Sequence, residues 1–405
     1  MPIAEEKDVE QWCAQYNAGT AGIVMPLDIR HSYANWEWIA QEVKNGKAAD
    51  LAALAGKCKG PAMLLASGPS LDDVMPHLKN WKGAICCSSS QASTLVYYGR
   101  QPDFIVQLDA QTRMDEFIVP QWGPNTALIC NPGCHPEIIR SWKNPKFYYR
   151  QIDPQREFYS QVLPTAYPFI TTQLLLFSCS PAAQLGILRN LGFNPIFFVG
   201  MDMGYVGHKN RFTWWRYTEV GPQMRHGKYR PGSWRWIPDP PAMRPDNVIR
   251  ANNGVITDKA NLFFKRSIFA VGLLETHRPE APQLIYASKG IFTEFPTVDV
   301  MEVIERQGQG YEELYRTNEQ TRWVCERYLA TQKMYTIEFG GGEVEKGVRF
   351  LETSDWKNVV PDYIKAQQAQ GLPIESVETA MERIGRIVAD IEQEAKEAEG
   401  GNTGT

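Results

Sequence analysis

The feature that most constrains the fold is a repeating unit: a run of four or five apolar residues, a small polar loop, then a helical segment. Ala62–Ala66 (AMLLA) leads into Ser67-Gly68-Pro69-Ser70 and a short helix predicted over Leu71–Leu78. Ala84–Cys87 leads into Ser88-Ser89-Ser90 and a helix through Tyr98. Asp103–Leu108 ends at Asp109, Thr126–Cys130 opens into Asn131-Pro132-Gly133, and Lys146–Tyr149 is a further strand candidate. A longer helix predicted over Thr172–Leu191 precedes the strand Pro195–Val199, which ends at Gly200-Met201-Asp202. Lys259–Leu274 reads as a helix, and Leu284–Ala287 as a final strand before Ser288-Lys289-Gly290. Apolar strands without polar alternation are expected where helices cover both faces of a sheet. Strand–helix alternation at this spacing implies right-handed crossovers and an α/β, Rossmann-like, doubly wound and mostly parallel sheet. Ligands of such sheets bind beyond the carboxyl ends of the strands. The loops at Ser67–Ser70, Ser88–Ser90, Asp109, Asn131 and Asp202 all fall at that edge.

Composition narrows the class. The chain has 405 residues with 42 Lys+Arg against 46 Asp+Glu, a net charge of −4, and is 43% hydrophobic and 22% charged. These values exclude a disordered, collagen-like or disulfide-scaffold protein, and argue against gripping nucleic acid with the whole surface. The start, MPIAEEKDVEQW, is acidic where a secretion signal is basic and then apolar. The most apolar stretch, Ile170–Phe177, is far shorter than the ~20 residues needed to span a bilayer. The 8 Cys residues follow no framework of spacings, so they read as reduced thiols of a cytoplasmic protein without membrane contact.

Along the chain, residues 1–55 read as an N-terminal helical lead-in, with Trp36, Ile39, Ala40 and Val43 at helical spacing and Gly46 as the stop. Residues 56–300 hold the Rossmann-like domain. Within it, 203–250 is an insertion rich in Trp, Arg, Pro and Gly, too long and too aromatic for a plain loop. Residues 301–395 read as a helical C-terminal region. There Ile374, Val377, Met381, Ile384, Val388 and Ile391 form a heptad-like seam that serves either packing on its own domain or a homo-oligomer. Residues 396–405 read as a flexible tail.

The rim loops carry the candidate chemistry, each against a plainer alternative. Gly68, Pro69 and Ser70 can admit an anionic ligand to the backbone, or can form only a capped strand-to-helix turn; Asp72 and Asp73 nearby would repel a phosphate. Asp109 and Asp202 close different strands at one edge. They can hold Mg²⁺ with a phosphorylated ligand, hydrogen-bond a sugar or base without metal, or cap loops. His208, after the Asp202 strand, suits general acid–base work; His135 is its rival, and a surface histidine is the alternative. Cys130 and Cys134 beside His135 lack the second ligand pair that zinc needs. In the insertion, Trp214, Trp215, Arg216, Trp234 and Trp236, with Arg211, Arg225 and Arg230, form a lid, an acceptor platform, a single-strand nucleic-acid contact, or a buried cluster.

Five motifs in order carry a family resemblance: GPSL (Gly68–Leu71), PDFIVQLD (Pro102–Asp109), VGMDMGY (Val199–Tyr205), NGVITDKANL (Asn253–Leu262) and YASKGIFTEFPTVD (Tyr286–Asp299). Over roughly residues 55–305 the chain resembles the MptE-like group, also called the domain-of-unknown-function 115 family. That group includes motility-accessory-factor glycosyltransferases of flagellins and archaeal 6-hydroxymethylpterin diphosphokinases, and related domains occur in phage genomes. The resemblance implies a sialyltransferase-like transferase fold. In one branch the donor is a CMP-activated nonulosonic acid and the acceptor a hydroxyl on protein, glycan or small molecule, with no cofactor required. In the other the donor is ATP with Mg²⁺ on Asp109 and Asp202. The resemblance implies that Gly68, Pro69 and Ser70 form the donor-binding loop and that Asp109 and Asp202 match the family's two acids; Ser88, Asn131, Ser288 and Gly290, read from their place in loops that follow strands, complete the candidate nucleotide-binding set, with Asp202 and His208 as candidate catalytic residues. A fold kept only as an interaction module is the non-enzymatic alternative. The insertion and the C-terminal region match neither branch.

Overall fold

In the computed structural model the described residues are 6–68, 70–108, 110, 122–152, 158–175, 179–204, 213–216, 235–238, 248–250, 253, 255–277, 282–331, 335–337 and 348–350. Helix α1 (Glu6–Lys44) leads to the two-residue strand β1 (Ala49–Asp50). Then follow β2 (Ala62–Leu65), α2 (Leu71–Val74), β3 (Ala84–Ser88), α3 (Ser89–Tyr97), β4 (Phe104–Gln107), β5 (Ala127–Cys130), α4 (Pro136–Ser141) and β6 (Lys146–Tyr148). Strands β7 (Arg150–Ile152) and β8 (Gln173–Leu175) form a small parallel pair around α5 (Leu163–Ala166). Helix α6 (Ser180–Leu191) returns the chain to β9 (Ile196–Val199). Two antiparallel pairs come next, β10 (Thr213–Arg216) with β11 (Arg235–Pro238), and β12 (Val248–Arg250) with β13 (Ile256–Asp258). They are followed by α7 (Lys259–Glu275), β14 (Leu284–Tyr286), α8 (Val300–Glu305), α9 (Asn318–Thr331) and the pair β15 (Tyr335–Ile337) with β16 (Val348–Phe350).

The main sheet has the order β1-β6-β5-β4-β3-β2-β9-β14, and every neighbouring pair in it is parallel. The fold is α/β and Rossmann-like. From β2 the chain steps outward through β3, β4, β5 and β6, then returns to place β9 and β14 on the other side of β2. The direction reverses between β2 and β9, and in sheets of this kind ligands bind at the carboxyl ends beside such a switch point.

The apolar runs explain the layering. On successive residues of one strand, side chains point to opposite faces. Leu64, Cys86, Val106, Ile129, Phe198 and Tyr286 pack under α6, α7 and α9, whereas Met63, Leu65, Ile85, Ile105, Leu128 and Val199 pack under α2, α3, α4 and α8. Each strand therefore has two buried faces and no room for polar alternation.

Several local expectations change. The helix predicted over Thr172–Leu191 begins only at Ser180, and its first residues form β8 beside β7; Pro181 at the first turn suits a helix start. The helix predicted over Leu71–Leu78 is α-helical only to Val74 and continues as a 3₁₀ turn, Met75–Asn80, because Pro76 has no amide hydrogen to donate. The lead-in also supplies the edge strand β1, too short for any periodicity. The helical C-terminal region contains the β15–β16 pair, and its heptad-like seam and the tail lie outside the described residues.

One ion pair ties α1 to the sheet. Lys146 Nζ lies 2.8 Å from both Glu42 carboxylate oxygens and 2.5 Å from Ile139 O, and Tyr148 donates its hydroxyl to Glu42 at 2.9 Å. The Lys146 side chain is 1% exposed. Removing one partner of a buried pair leaves an uncompensated charge, so Glu42→Ala is expected to cost about 3–5 kcal/mol, read by urea unfolding.

Candidate functional site

The loop after β2, the loop after β9 and the loop after β14 meet at the switch point and are joined there by one carboxylate. Asp202 is fully buried. Its Oδ2 accepts from Ser70 N at 2.7 Å, and its Oδ1 accepts from Ser70 Oγ at 2.5 Å and from Lys289 N at 3.3 Å. Burial pushes the Asp202 carboxyl above its usual range, and the bonds from Ser70 and Lys289 offset only part of that. Backbone bonds reinforce the junction: Gly68 N donates to Gly200 O at 2.6 Å, and Ile291 N to Asp202 O at 2.9 Å.

Glycines make the approach possible. A Cβ at Gly68 would lie 2.5 Å from Gly200 O and 2.6 Å from Asp202 Oδ2, and a Cβ at Gly290 would overlap the Asp202 backbone. Ser288 Oγ accepts from Met201 N and donates to Phe198 O, each at 3.0 Å. Gly290 N donates to Tyr286 Oη at 2.6 Å, and Asn253 Nδ2 donates to Gly290 O at 2.8 Å. Thus Asn253, from the NGVITD segment, braces the same loop.

The predicted residues divide into groups. Gly68, Ser70, Asp202, Ser288 and Gly290 are brought together. Ser88 is next along the rim: Gln91 Oε1 accepts from Ser88 N at 2.9 Å and from Ser88 Oγ at 2.7 Å, while Gln91 Nε2 donates to Ser67 Oγ. Asn131 stands three strand spacings from β2, roughly 14 Å at ~4.8 Å per strand; it donates to Leu108 O at 3.1 Å and accepts from Gly133 N at 2.7 Å. Trp214, Trp215 and Arg216 lie on β10, where Trp215 is in register with Trp236, and their side chains lie outside the described residues. Pro69, Asp109, His208 and Trp234 also lie outside them.

The far end of the rim is held by a face of α1 for which the sequence reading found no role. Asn35 Nδ2 donates to Pro132 O at 2.9 Å and Cys134 O at 2.8 Å. Tyr159 donates its hydroxyl to Asp28 Oδ2. His31 Nδ1 lies 3.1 Å from Gly133 O; since a carbonyl only accepts, Nδ1 carries the proton. The His135 ring lies 5.2 Å from that of His31, and His135 Nδ1 accepts from Glu137 N at 3.3 Å. Asp28, His31, Ser32 and Asn35 recur at the 3, 4 and 7 offsets of one helix face. That spacing was the available signal, masked because the helix was read for its apolar residues.

The donor sets bear on two metal readings. Both Asp202 oxygens accept protein hydrogen bonds in a fully enclosed position, so this carboxylate does not fit an Mg²⁺ ion. Cys130 and Cys134 are fully buried, and burial raises the Cys134 thiol well above its ordinary value. Among the described residues, no three His, Cys, Asp or Glu side chains converge on a common point.

A solved structure of the MAf glycosyltransferase from Magnetospirillum magneticum AMB-1 is similar over 68% of this chain and 41% of its own, with a TM-score of 0.40 and 16% identity. The chain thus spans about two fifths of the length of that protein. No curated protein matches.

Two outcomes test the site. Gly290→Ala is expected to lower stability by about 1–3 kcal/mol through overpacking, seen as a lower thermal midpoint. Burial, with smaller contributions from His135 and Arg30, lowers the His31 pKa from 6.5 against the bond to Gly133. The unfolded chain therefore takes up this proton first, and stability is expected to fall as pH drops below 6.5. His31→Gln should flatten that slope in denaturant melts.

Residues 38–208, which carry β2 to β6, the β9 rim loop, Gly68–Ser70, Asp109 and Asp202, are similar to the family whose model is described as 6-hydroxymethylpterin diphosphokinase MptE-like.

Proposed function

We propose that this chain is a transferase that takes a nucleotide-activated donor at the switch-point crevice, with glycosyl transfer from a CMP-activated sugar to a hydroxyl acceptor as the favoured reaction. The match to the MptE-like family model supports a transferase acting on an activated phosphorylated donor. The observation that favours glycosyl transfer is the state of Asp202. Its carboxylate is enclosed and engaged by Ser70 and Lys289, so it positions the three rim loops instead of carrying a metal or moving a proton. A nucleoside monophosphate leaving group needs its charge met by N–H groups and cations, and no carboxylate-held metal.

In this reading Gly68 and Ser70 set the wall against which the nucleotide lies. Asp109 meets the donor's sugar hydroxyls, and His208 deprotonates the acceptor hydroxyl. The β10–β11 pair, with Trp214, Trp215 and Arg216, together with Trp234, belongs to the acceptor side. Asp202 is a positioning residue. The second reading, pyrophosphoryl transfer from ATP to a hydroxymethyl heterocycle, is favoured by the family's own description, and would need Mg²⁺ held by groups other than Asp202.

A thermal-shift series separates the two. CMP without metal, at 100 times its Kd, is expected to stabilise the chain by about 2.7 kcal/mol, and Asp109→Ala to abolish the shift. Stabilisation only by ATP with Mg²⁺ would favour the diphosphokinase reading. No shift with either nucleotide would leave the interaction-module alternative.

A further inference from the structure

The loop after β14 uses its three consecutive residues differently. Ser288 turns its hydroxyl inward to Phe198 O and Met201 N. Gly290 is packed on the Asp202 backbone. Only Lys289 sends its side chain outward: its amide is anchored to Asp202, and its Nζ lies 3.2 Å from Asp73 Oδ2. Asp73 belongs to α2, on the β2 side of the switch point, and Lys289 to the β14 side. Strand β9 lies between them, so the pair passes over the end of β9, directly above the junction of the three loops.

The energetics of this pair differ from those of the groups beneath it. The Lys289 and Asp73 side chains are 62% and 71% exposed. An ion pair so open contributes little to stability, and exchanging its partner costs correspondingly little. The hydroxyls of Ser70 and Ser288 and the carboxylate of Asp202 are already engaged within the protein.

We propose that Lys289 is the anion-binding residue of the crevice, receiving a phosphate oxygen of the donor in exchange for the Asp73 carboxylate. The proposal rests on the transferase reading and names a binding residue for it. Phosphate offers the ammonium more charge and more acceptor oxygens than a single carboxylate does. The anchored Lys289 amide fixes the base of the side chain while its stem swings. Asp73 holds the Lys289 ammonium over the end of β9 and would compete with a phosphate for it.

Calorimetry on the full chain tests this, with CMP in metal-free buffer and with ATP plus Mg²⁺. Lys289→Ala is expected to weaken CMP binding about 10-fold or more, and Lys289→Arg to retain most of it. Asp73→Asn is expected to bind CMP as tightly as the parent or a few-fold tighter, because the competing charge is gone. Thermal midpoints of all three should stay near the parent's, as for exposed substitutions generally. Parent-like CMP affinity in Lys289→Ala would overturn the assignment and leave the transferase reading standing. Equal weakening by Asp73→Asn would overturn it in favour of a site that uses the carboxylate itself, through a cation. A parent chain that binds neither nucleotide removes the transferase reading and this inference together.

Discussion

A single buried carboxylate organises the rim of this protein. Asp202 gathers Ser70 and Lys289, residues more than a hundred and more than eighty positions away in sequence, onto the end of β9. Enclosing a carboxylate is costly unless its lone pairs are met, and here backbone and hydroxyl donors meet them. That saturation has two effects. The loops after β2, β9 and β14 are held at fixed separation, with Gly68 and Gly290 admitting contacts that a side chain would block. The same bonds engage Asp202, Ser70 Oγ and Ser288 Oγ within the protein.

The opposite end of the rim is secured by different means. Helix α1 lays Asn35 and His31 on the loop after β5, and Glu42 on Lys146 at the start of β6. Gln91 bonds Ser67 and Ser88 and so joins the loop after β2 to the end of β3.

Much of the layering was legible before any coordinates. AMLL, AICC, ALIC and IFFV are apolar on every residue, and only a strand covered on both faces tolerates that. Errors came where the signal is short or shared. TTQLLL is apolar enough for helix or strand, and only the neighbouring β7 decides for strand. Ala49–Asp50 is too brief for any period. Asp202 follows its strand in sequence, yet the chain alone does not disclose that Ser70 and Lys289 close on it. Lys289, between Ser288 and Gly290, carries no sequence pattern, as is usual for a lone lysine in a loop. His31 and Asn35 were missed because a polar stripe on a helix ordinarily faces water.

What the chain alone determined is local and periodic: which segments are strands, which loops follow them, and hence that a parallel layered sheet has a polar edge. Each of those follows from alternation, capping residues and turn residues within about ten positions. Tertiary structure decided which polar groups are spent and which remain exposed. That depends on desolvation and hydrogen bonding between loops distant in sequence, and the pairing of Asp202 with Ser70, or of Lys289 with Asp73, exists only once β9 lies between β2 and β14.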